Sequence, residues 1–241
     1  MQDFNAIFDA ALAENFPDIE VDAVKKERFR VLAETLVEKS AVMNLTAITD
    51  THGIVYKHFV DSLAPLAYIP QGASLLDVGA GAGFPSLPIA IMRPDVKVTS
   101  LDSTGKKLDF ILYAAGKCGL ENVNVLNSRA EEAASDPQYR EKFDAVTSRA
   151  VARLNILCEL CIPLVRIGGV FLALKGAFAN EEYAEAKNAF ARLGCKKTRI
   201  EESVLRAGDE QNARAVIIAE KMGSTPSSFP RKYAAIKKAP M

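Results

Sequence analysis

Leu75-Leu76-Asp77-Val78-Gly79-Ala80-Gly81-Ala82-Gly83-Phe84-Pro85 is a short apolar run that opens onto three alternate glycines. A buried strand passing into such a turn presents bare backbone amides to a ligand, because glycine has no Cβ to hold it away. Pro85 suits the first position of a helix. Leu87-Pro88-Ile89-Ala90-Ile91-Met92 then reads as an apolar helical stretch, and Val96 to Leu101 alternates as a strand that ends at Asp102. Strand, turn, helix and strand in this order make a parallel β-α-β unit. An acid at the exposed end of its second strand is placed to accept both hydroxyls of a ribose.

The glycine spacing narrows the ligand. Dinucleotide-binding turns favour G-x-G-x-x-G, whereas this one is acidic-x-G-x-G-x-G, with Asp77 ahead of the first glycine. That version resembles the first motif of S-adenosylmethionine-dependent methyltransferases. A glycine-rich turn also occurs as plain structure, and Asp77 and Asp102 at two strand ends weigh against that reading.

The 241 residues predict one large domain, or one domain with a modest extension, and 49% hydrophobic content suffices for its core. Thirty basic residues balance thirty acidic ones, so no overall field draws the chain to nucleic acid or to an anionic membrane. A nucleic-acid partner therefore has to meet a local basic patch. The first residues lack the basic cluster and apolar core of a secretory signal, and no apolar run approaches membrane-spanning length. With four cysteines and no export signal, the expectation is a reduced, cytoplasmic protein. Cys158 and Cys161 fall in the apolar helical pattern Leu154 to Leu164, which points to core packing rather than a redox pair or zinc half-site. His52 and His58 are the only histidines, so no metal site is expected.

Organisation changes near Pro70-Gln71-Gly72. Residues 1–70 read as an N-terminal helical cap, with helices over Ala6–Glu14 and Val21–Lys39, the second carrying Phe29, Leu32 and Leu36 on one face. Residues 71–222 read as a Rossmann-like core and residues 223–241 as a basic tail, with Ser224 to Ser228 as a flexible link. Strands are expected at Leu75–Val78, Val96–Leu101, Val123–Asn127, Ala145–Ser148, Val170–Leu174, Thr198–Val204 and Ala213–Ala219. Helical stretches between most of them imply a parallel sheet, while the short segment Arg206 to Asn212 makes the last two strands an antiparallel hairpin. The fold class is thus α/β: a Rossmann-like, class I methyltransferase sheet of seven strands, mainly parallel, with a terminal hairpin and a helical cap.

Several segments in order resemble one family, the RsmG (GidB) enzymes that methylate N7 of a guanine in small-subunit ribosomal RNA. The resemblance is carried by Met43-Asn44-Leu45-Thr46-Ala47-Ile48, His58-Phe59-Val60-Asp61-Ser62-Leu63 and the glycine turn. It continues through Leu101-Asp102-Ser103-Thr104-Gly105-Lys106-Lys107, Ser128-Arg129-Ala130-Glu131, Ser148-Arg149-Ala150-Val151-Ala152 and Ala173-Leu174-Lys175-Gly176. It implies S-adenosylmethionine as donor and a guanine in the 530 loop of 16S rRNA (nucleotide 527 in the standard numbering) as acceptor. The expected partner is 16S rRNA or the small ribosomal subunit, with no DNA and no membrane, and the protein a monomer.

By that resemblance the donor is held at Gly79, Gly81, Gly83, Phe84, Asp102, Ser103, Thr104, Ala130, Glu131 and Arg149. Arg149 also has a plain reading, pairing with a carboxylate at the core's edge. Arg149, Arg153 and Lys175 are candidates for binding guanine O6 while N7 stays free. No catalytic residue is assigned beyond them, because guanine N7 is unprotonated at neutral pH and needs no general base. Phe84 and Phe178 are either base-stacking platforms or core, and Asn44, His58 and Asp61 either hold the cap or touch substrate. Lys106, Lys107, Arg231, Lys232, Lys237 and Lys238 either contact RNA or decorate a solvated surface. Ala234-Ala235 stand where the family usually turns at a glycine, and Ser86 replaces a frequent glycine. Rival readings are a methyltransferase with another RNA, protein or small-molecule acceptor, a non-catalytic nucleotide-binding module and, more weakly, a dehydrogenase.

Overall fold

A computed structural model describes residues 3–241. Two helices open the chain, α1 (Phe4–Asn15) and α2 (Ala23–Met43), each started by an aspartate whose side chain accepts from a first-turn amide, Asp3 and Asp22. Asn44 ends α2 in the left-handed conformation, a common helix stop. A continuous helical segment follows: α3 (Thr51–Gly53), a π-helical turn (Ile54–Val60) and α4 (Asp61–Leu63).

Beyond it come β1 (Ser74–Val78), α5 (Ser86–Met92), β2 (Lys97–Asp102), α6 (Gly105–Lys117), β3 (Val123–Asn127), α7 (Ala130–Ala133) and β4 (Phe143–Arg149). Then follow α8 (Leu154–Cys161), β5 (Val165–Lys175), α9 (Ala179–Glu185), α10 (Lys187–Arg192), β6 (Cys195–Ala207), β7 (Glu210–Lys221) and α11 (Tyr233–Lys238). The seven strands form one sheet in the order β3-β2-β1-β4-β5-β7-β6, with β7 antiparallel to both its neighbours. The expected strands are all present: β3 has the expected bounds, β2 is shifted by one residue, and the other five extend beyond theirs. Helix α5 begins at Ser86, one residue beyond Pro85, so the proline flanks the helix instead of opening it.

The central strands of the sheet are buried on both faces, while the edge strand β6 is largely exposed. One face carries α1, α2, the π-turn, α5 and α6, whose Phe8, Phe29, Phe59, Leu87, Ile91 and Phe110 share one apolar cluster. Cap and core therefore have a common interior. Its spine is a row of rings, Phe8 to Phe29 at 4.9 Å, Phe29 to Phe59 at 5.1 Å and Phe59 to Phe84 at 6.0 Å, which runs from the first helix to the glycine turn. The other face carries α7, α8, α10 and α11, and Cys158 and Cys161 pack there as free, fully buried thiols.

The tail is held to the core by specific contacts. Ser224 to Ser228 is tied down: Thr225 is buried, and Arg140 donates to the Thr225 and Pro226 carbonyls at 2.8 and 3.2 Å. Arg231 is tied inward: its Nη2 lies 2.6 Å from Oε2 of Glu159, a carboxylate with no solvent exposure. Ala234-Ala235 lie within α11, where alanine is a good helix former, and Ile236 anchors that helix in the core. Lys232, Lys237 and Lys238 remain exposed. Arg231→Ala is expected to lower unfolding free energy by about 3 kcal/mol, since it strands a buried charge. Urea denaturation checks this, and a loss under about 0.5 kcal/mol, the range of an ordinary surface change, would contradict it.

Candidate active site

The chain order reverses between β1 and β4, so ligands are expected at the carboxyl ends of these strands. On the β1 side stands the glycine turn. Gly79, Gly81 and Gly83 all have positive φ, at 76°, 58° and 86°. A Cβ on Gly83 would lie 2.6 Å from Leu87 Cδ1, and one on Gly79 would run into Val151. Gly81 differs, since a Cβ there would meet nothing nearer than the Gly79 carbonyl at 3.9 Å; its open side faces where a ligand would lie.

Two carboxylates organise this turn. Asp102 Oδ2 accepts from the Gly81 amide at 3.1 Å and Oδ1 from the Thr104 amide at 2.9 Å. The sequence reading took Asp102 for an exposed strand end, yet it is only 8% exposed, because the glycine turn folds over it. Asp77 is fully buried beneath the turn. Its Oδ2 accepts from the Ser86 hydroxyl at 2.8 Å and amide at 3.2 Å. Burial pushes the Asp77 pKa up to about 6 against the Ser86 hydrogen bonds, and Oδ1 has no partner among the described residues. Open space over Gly81, the half-used Asp102 and the orphan Asp77 oxygen suit a nucleoside with a polar, cationic extension. Ser103 and Thr104 are exposed beside them, and Ala130 and Glu131 open α7 at the end of the neighbouring β3.

On the β4 side is a cleft of about 610 Å³, walled by the ends of β4 and β5, the start of β7 and the π-turn. Val151 lines it and abuts Gly79, so cleft and glycine turn share a wall. Arg149 ends β4 with its side chain 14% exposed. Its Nη1 donates to Asp61 Oδ2 at 2.8 Å and to the Lys57 carbonyl at 3.0 Å. Asp61 Oδ1 accepts from Arg214 Nε at 2.6 Å, so one carboxylate joins cap, β4 and β7. Arg149 thus makes the plain pairing allowed by its sequence position and still lines the cleft.

The remaining candidates divide. Lys175 ends β5, and its Nζ donates to the Ala152 carbonyl at 2.7 Å and pairs with Glu182 at 2.7 Å. Arg153 sits half-exposed on the rim, paired with Glu181 and Glu185 at 3.1 and 2.8 Å. Phe84 is buried as core, one face stacked on His58 at 4.7 Å, with the Arg149 guanidinium 5.7 Å from its ring centre, so it offers no free face to a base. Phe178 does, being 69% exposed two residues beyond the cleft-lining Gly176. Lys106 is exposed, while Lys107 reaches to 4.0 Å from Asp102, on the turn's side.

Sequence reasoning did not single out Lys57, Glu182 or Arg214. The signal for Arg214 was an arginine flanked by alanines within a strand; Glu182 carried none, being one of several acids on a short helix.

His58 has its Nε2 2.9 Å from the Thr46 hydroxyl, and Nδ1 is buried without a partner among the described residues. Burial first, and then the Arg149 charge, push its pKa down to about 4, so it stands neutral at pH 7. The unfolded chain takes up this proton near pH 6.5 and the folded one only near pH 4. Stability present above the upper value is therefore lost as pH falls to the lower one. Over that window wild type is expected to lose about 2 kcal/mol more than His58→Gln, which retains a polar partner for Thr46. Parallel pH–stability curves for the two proteins would refute this.

Comparison with known proteins agrees in fold and sequence. A family model described as GidB, rRNA small subunit methyltransferase G, matches residues 25–211. The ribosomal RNA small subunit methyltransferase G of Brevibacillus brevis is 45% identical over 219 residues, 90% of this chain and 91% of that protein. The protein of the same description in Staphylococcus aureus (strain JH9) is 42% identical over 234 residues, 95% of this chain and 97% of that one. Among solved structures, an O-methyltransferase from Bacillus cereus in complex with SAH aligns with a TM-score of 0.57 at 17% identity, covering 90% of this chain and 98% of that one. A SAM-dependent O-methyltransferase from Thermotoga maritima aligns with a TM-score of 0.55 at 18% identity, covering 79% and 73%. At such identities these two speak for the fold alone, the class I methyltransferase fold.

Proposed function

The chain belongs to the GidB family of small-subunit rRNA methyltransferases, and from that membership we propose that it methylates N7 of a guanine in the 530 loop of 16S rRNA, at nucleotide 527. The donor is S-adenosylmethionine, whose sulfonium supplies an electrophilic methyl group. One observation carries the choice of acceptor. On a chain of zero net charge, the cleft that shares a wall with the glycine turn is lined by Lys57, Arg149, Arg153, Lys175 and Arg214 against two carboxylates, Asp61 and Glu182. Such a cleft attracts the phosphates of an RNA strand.

For the donor, the backbone from Gly79 to Gly83 accommodates the amino-acid portion, Asp102 accepts from the ribose hydroxyls, and Ala130-Glu131 border the adenine. Ser103 and Thr104 flank the ribose.

Guanine N7 holds an unprotonated lone pair at neutral pH, so no side chain has to remove a proton before it attacks. The uncharged His58 fits this demand, because nothing in the step calls on it as a base. Catalysis comes from holding N7 in line with the methyl group and from excluding water. Arg149 serves both ends: through Phe84 it supports the glycine turn, and through Asp61 it shapes the acceptor cleft. Phe178 offers the exposed ring on which an unstacked base rests.

The test is transfer of labelled methyl groups to small ribosomal subunits from cells lacking the modification. Wild type is expected to label 16S rRNA, and donor binding without any transfer would overturn the acceptor assignment. Asp102→Ala should weaken donor binding about ten- to hundredfold by removing a charged acceptor. It should also lower the Tm, because Asp102 holds the Gly81 and Thr104 amides. Arg149→Ala should cut kcat/KM about tenfold or more while labelled donor still binds. Wild-type turnover in that variant would reduce Arg149 to a structural ion pair.

A further inference from the structure

Phosphate attraction places an RNA strand but does not read a base. In the proposed reaction N7 must stay free for attack, which removes the Hoogsteen edge from recognition and leaves the Watson–Crick edge. On that edge guanine presents an acceptor, O6, followed by two donors, N1–H and the 2-amino group. A side-by-side ammonium and carboxylate match this pattern, and the cleft contains one such pair.

We propose that Lys175 and Glu182 form the guanine-reading element of the cleft, with the Glu182 carboxylate accepting from N1–H and the 2-amino group and Lys175 donating to O6. This rests on the functional reading above. Two carboxylates line the cleft, and only Glu182 keeps one oxygen without a hydrogen-bond partner among the described residues. Both oxygens of Asp61 are engaged by guanidiniums, Oδ2 by Arg149 at 2.8 Å and Oδ1 by Arg214 at 2.6 Å. Glu182 takes the Leu154 amide and the Lys175 ammonium through Oε2 alone, each at 2.7 Å. Among the described residues Oε1 accepts no hydrogen bond, and the side chain keeps 16% exposure toward the cleft it lines.

Lys175 has matching capacity. Its ammonium carries three N–H groups, of which one donates to the Ala152 carbonyl, and it is ion-paired with Glu182, so donor capacity remains for a ligand. Both side chains are held in place before substrate arrives. Lys175 is 9% exposed at the end of β5, and Glu182 is pinned to the amino end of α8 through Leu154. Neither needs to reorganise on binding, which is what base discrimination requires.

The chemistry adds a reason for a carboxylate here. In the transfer, the N7 lone pair forms the new N–C bond, the S–C bond breaks and its electron pair returns to sulfur, which becomes a neutral thioether. The positive charge passes to the purine, and no proton leaves. N1–H and the 2-amino group become stronger donors as that charge develops. Glu182 therefore holds the product-like base more tightly than the incoming one, an interaction that lowers the barrier.

Inosine lacks only the 2-amino group, so it isolates this contact. The measurement is kcat/KM on reconstituted small subunits carrying guanosine or inosine at the target position. Wild type is expected to prefer guanosine about ten- to hundredfold, the worth of a hydrogen bond to a charged group. In E182Q the preference should fall to within about threefold, on the same principle. Any difference in intrinsic N7 reactivity cancels when the two preferences are compared. A merely structural Glu182 would lower E182Q turnover on both substrates in proportion and keep the wild-type preference, which would overturn the proposal. Equal use of both substrates by wild type would overturn it too, whatever E182Q does. Absence of transfer to guanosine subunits by wild type would instead sink the parent reading of the acceptor.

Discussion

The Asp61 carboxylate stands between two guanidiniums, and the arrangement of both half-sites depends on it. Arg149 comes to it from the end of β4, Arg214 from the start of β7, and Asp61 itself from the helical segment that caps the sheet. Three elements far apart in sequence are locked at one edge of the fold. A partly buried carboxylate with two cationic partners resists separation, because removing any one leaves an uncompensated charge. Arg149 is thereby fixed where it also faces Phe84, whose ring lies against His58 on the flank of the glycine turn. The glycine turn and the cleft are thus tied together through one ionic joint.

Charge distribution explains how a neutral chain serves a polyanionic partner. Its thirty cations are largely balanced locally, as in Arg153 with Glu181 and Glu185 or Arg231 with Glu159. Around the cleft Asp61 alone is shared between two arginines, while Lys57 pairs with Glu210, Lys175 with Glu182 and Arg153 with Glu181 and Glu185, so the local excess of cation sits at the Asp61 joint. The basic tail, which the sequence singles out, contributes structure first: its arginine is drawn inward by a buried glutamate, leaving the lysines of α11 at the surface. His58 stays neutral in this setting because burial and Arg149 both oppose its proton.

Which parts of this are legible in the sequence follows from the range of the interactions involved. The glycine turn, the seven strands and the terminal hairpin rest on local chemistry: positive φ at Gly79, Gly81 and Gly83, alternation along each strand, and a loop between β6 and β7 too short for a crossover. Cys158 and Cys161 are legible as core from the apolar periodicity around them. The cleft is not legible in the same way. Glu182 gains meaning only when α9 brings it to Lys175 and Leu154, and Arg214 only when β7 lies beside β5. Phe84 follows a glycine like a ligand-facing residue, yet the row of rings from Phe8 through Phe59 draws it inward. Arg231 resembles its lysine neighbours in sequence and differs from them solely by lying near Glu159 in space.

The central claim is that a cationic cleft beside the donor turn delivers guanine N7 to the methyl group. Its most direct measurement is the identity of the methylated nucleoside. Small subunits lacking the modification are incubated with the protein and labelled S-adenosylmethionine, and the 16S rRNA is digested and resolved by mass spectrometry. The account predicts label in 7-methylguanosine alone, from one position in the 530 loop. Label in any other nucleoside, or in ribosomal protein, would contradict it.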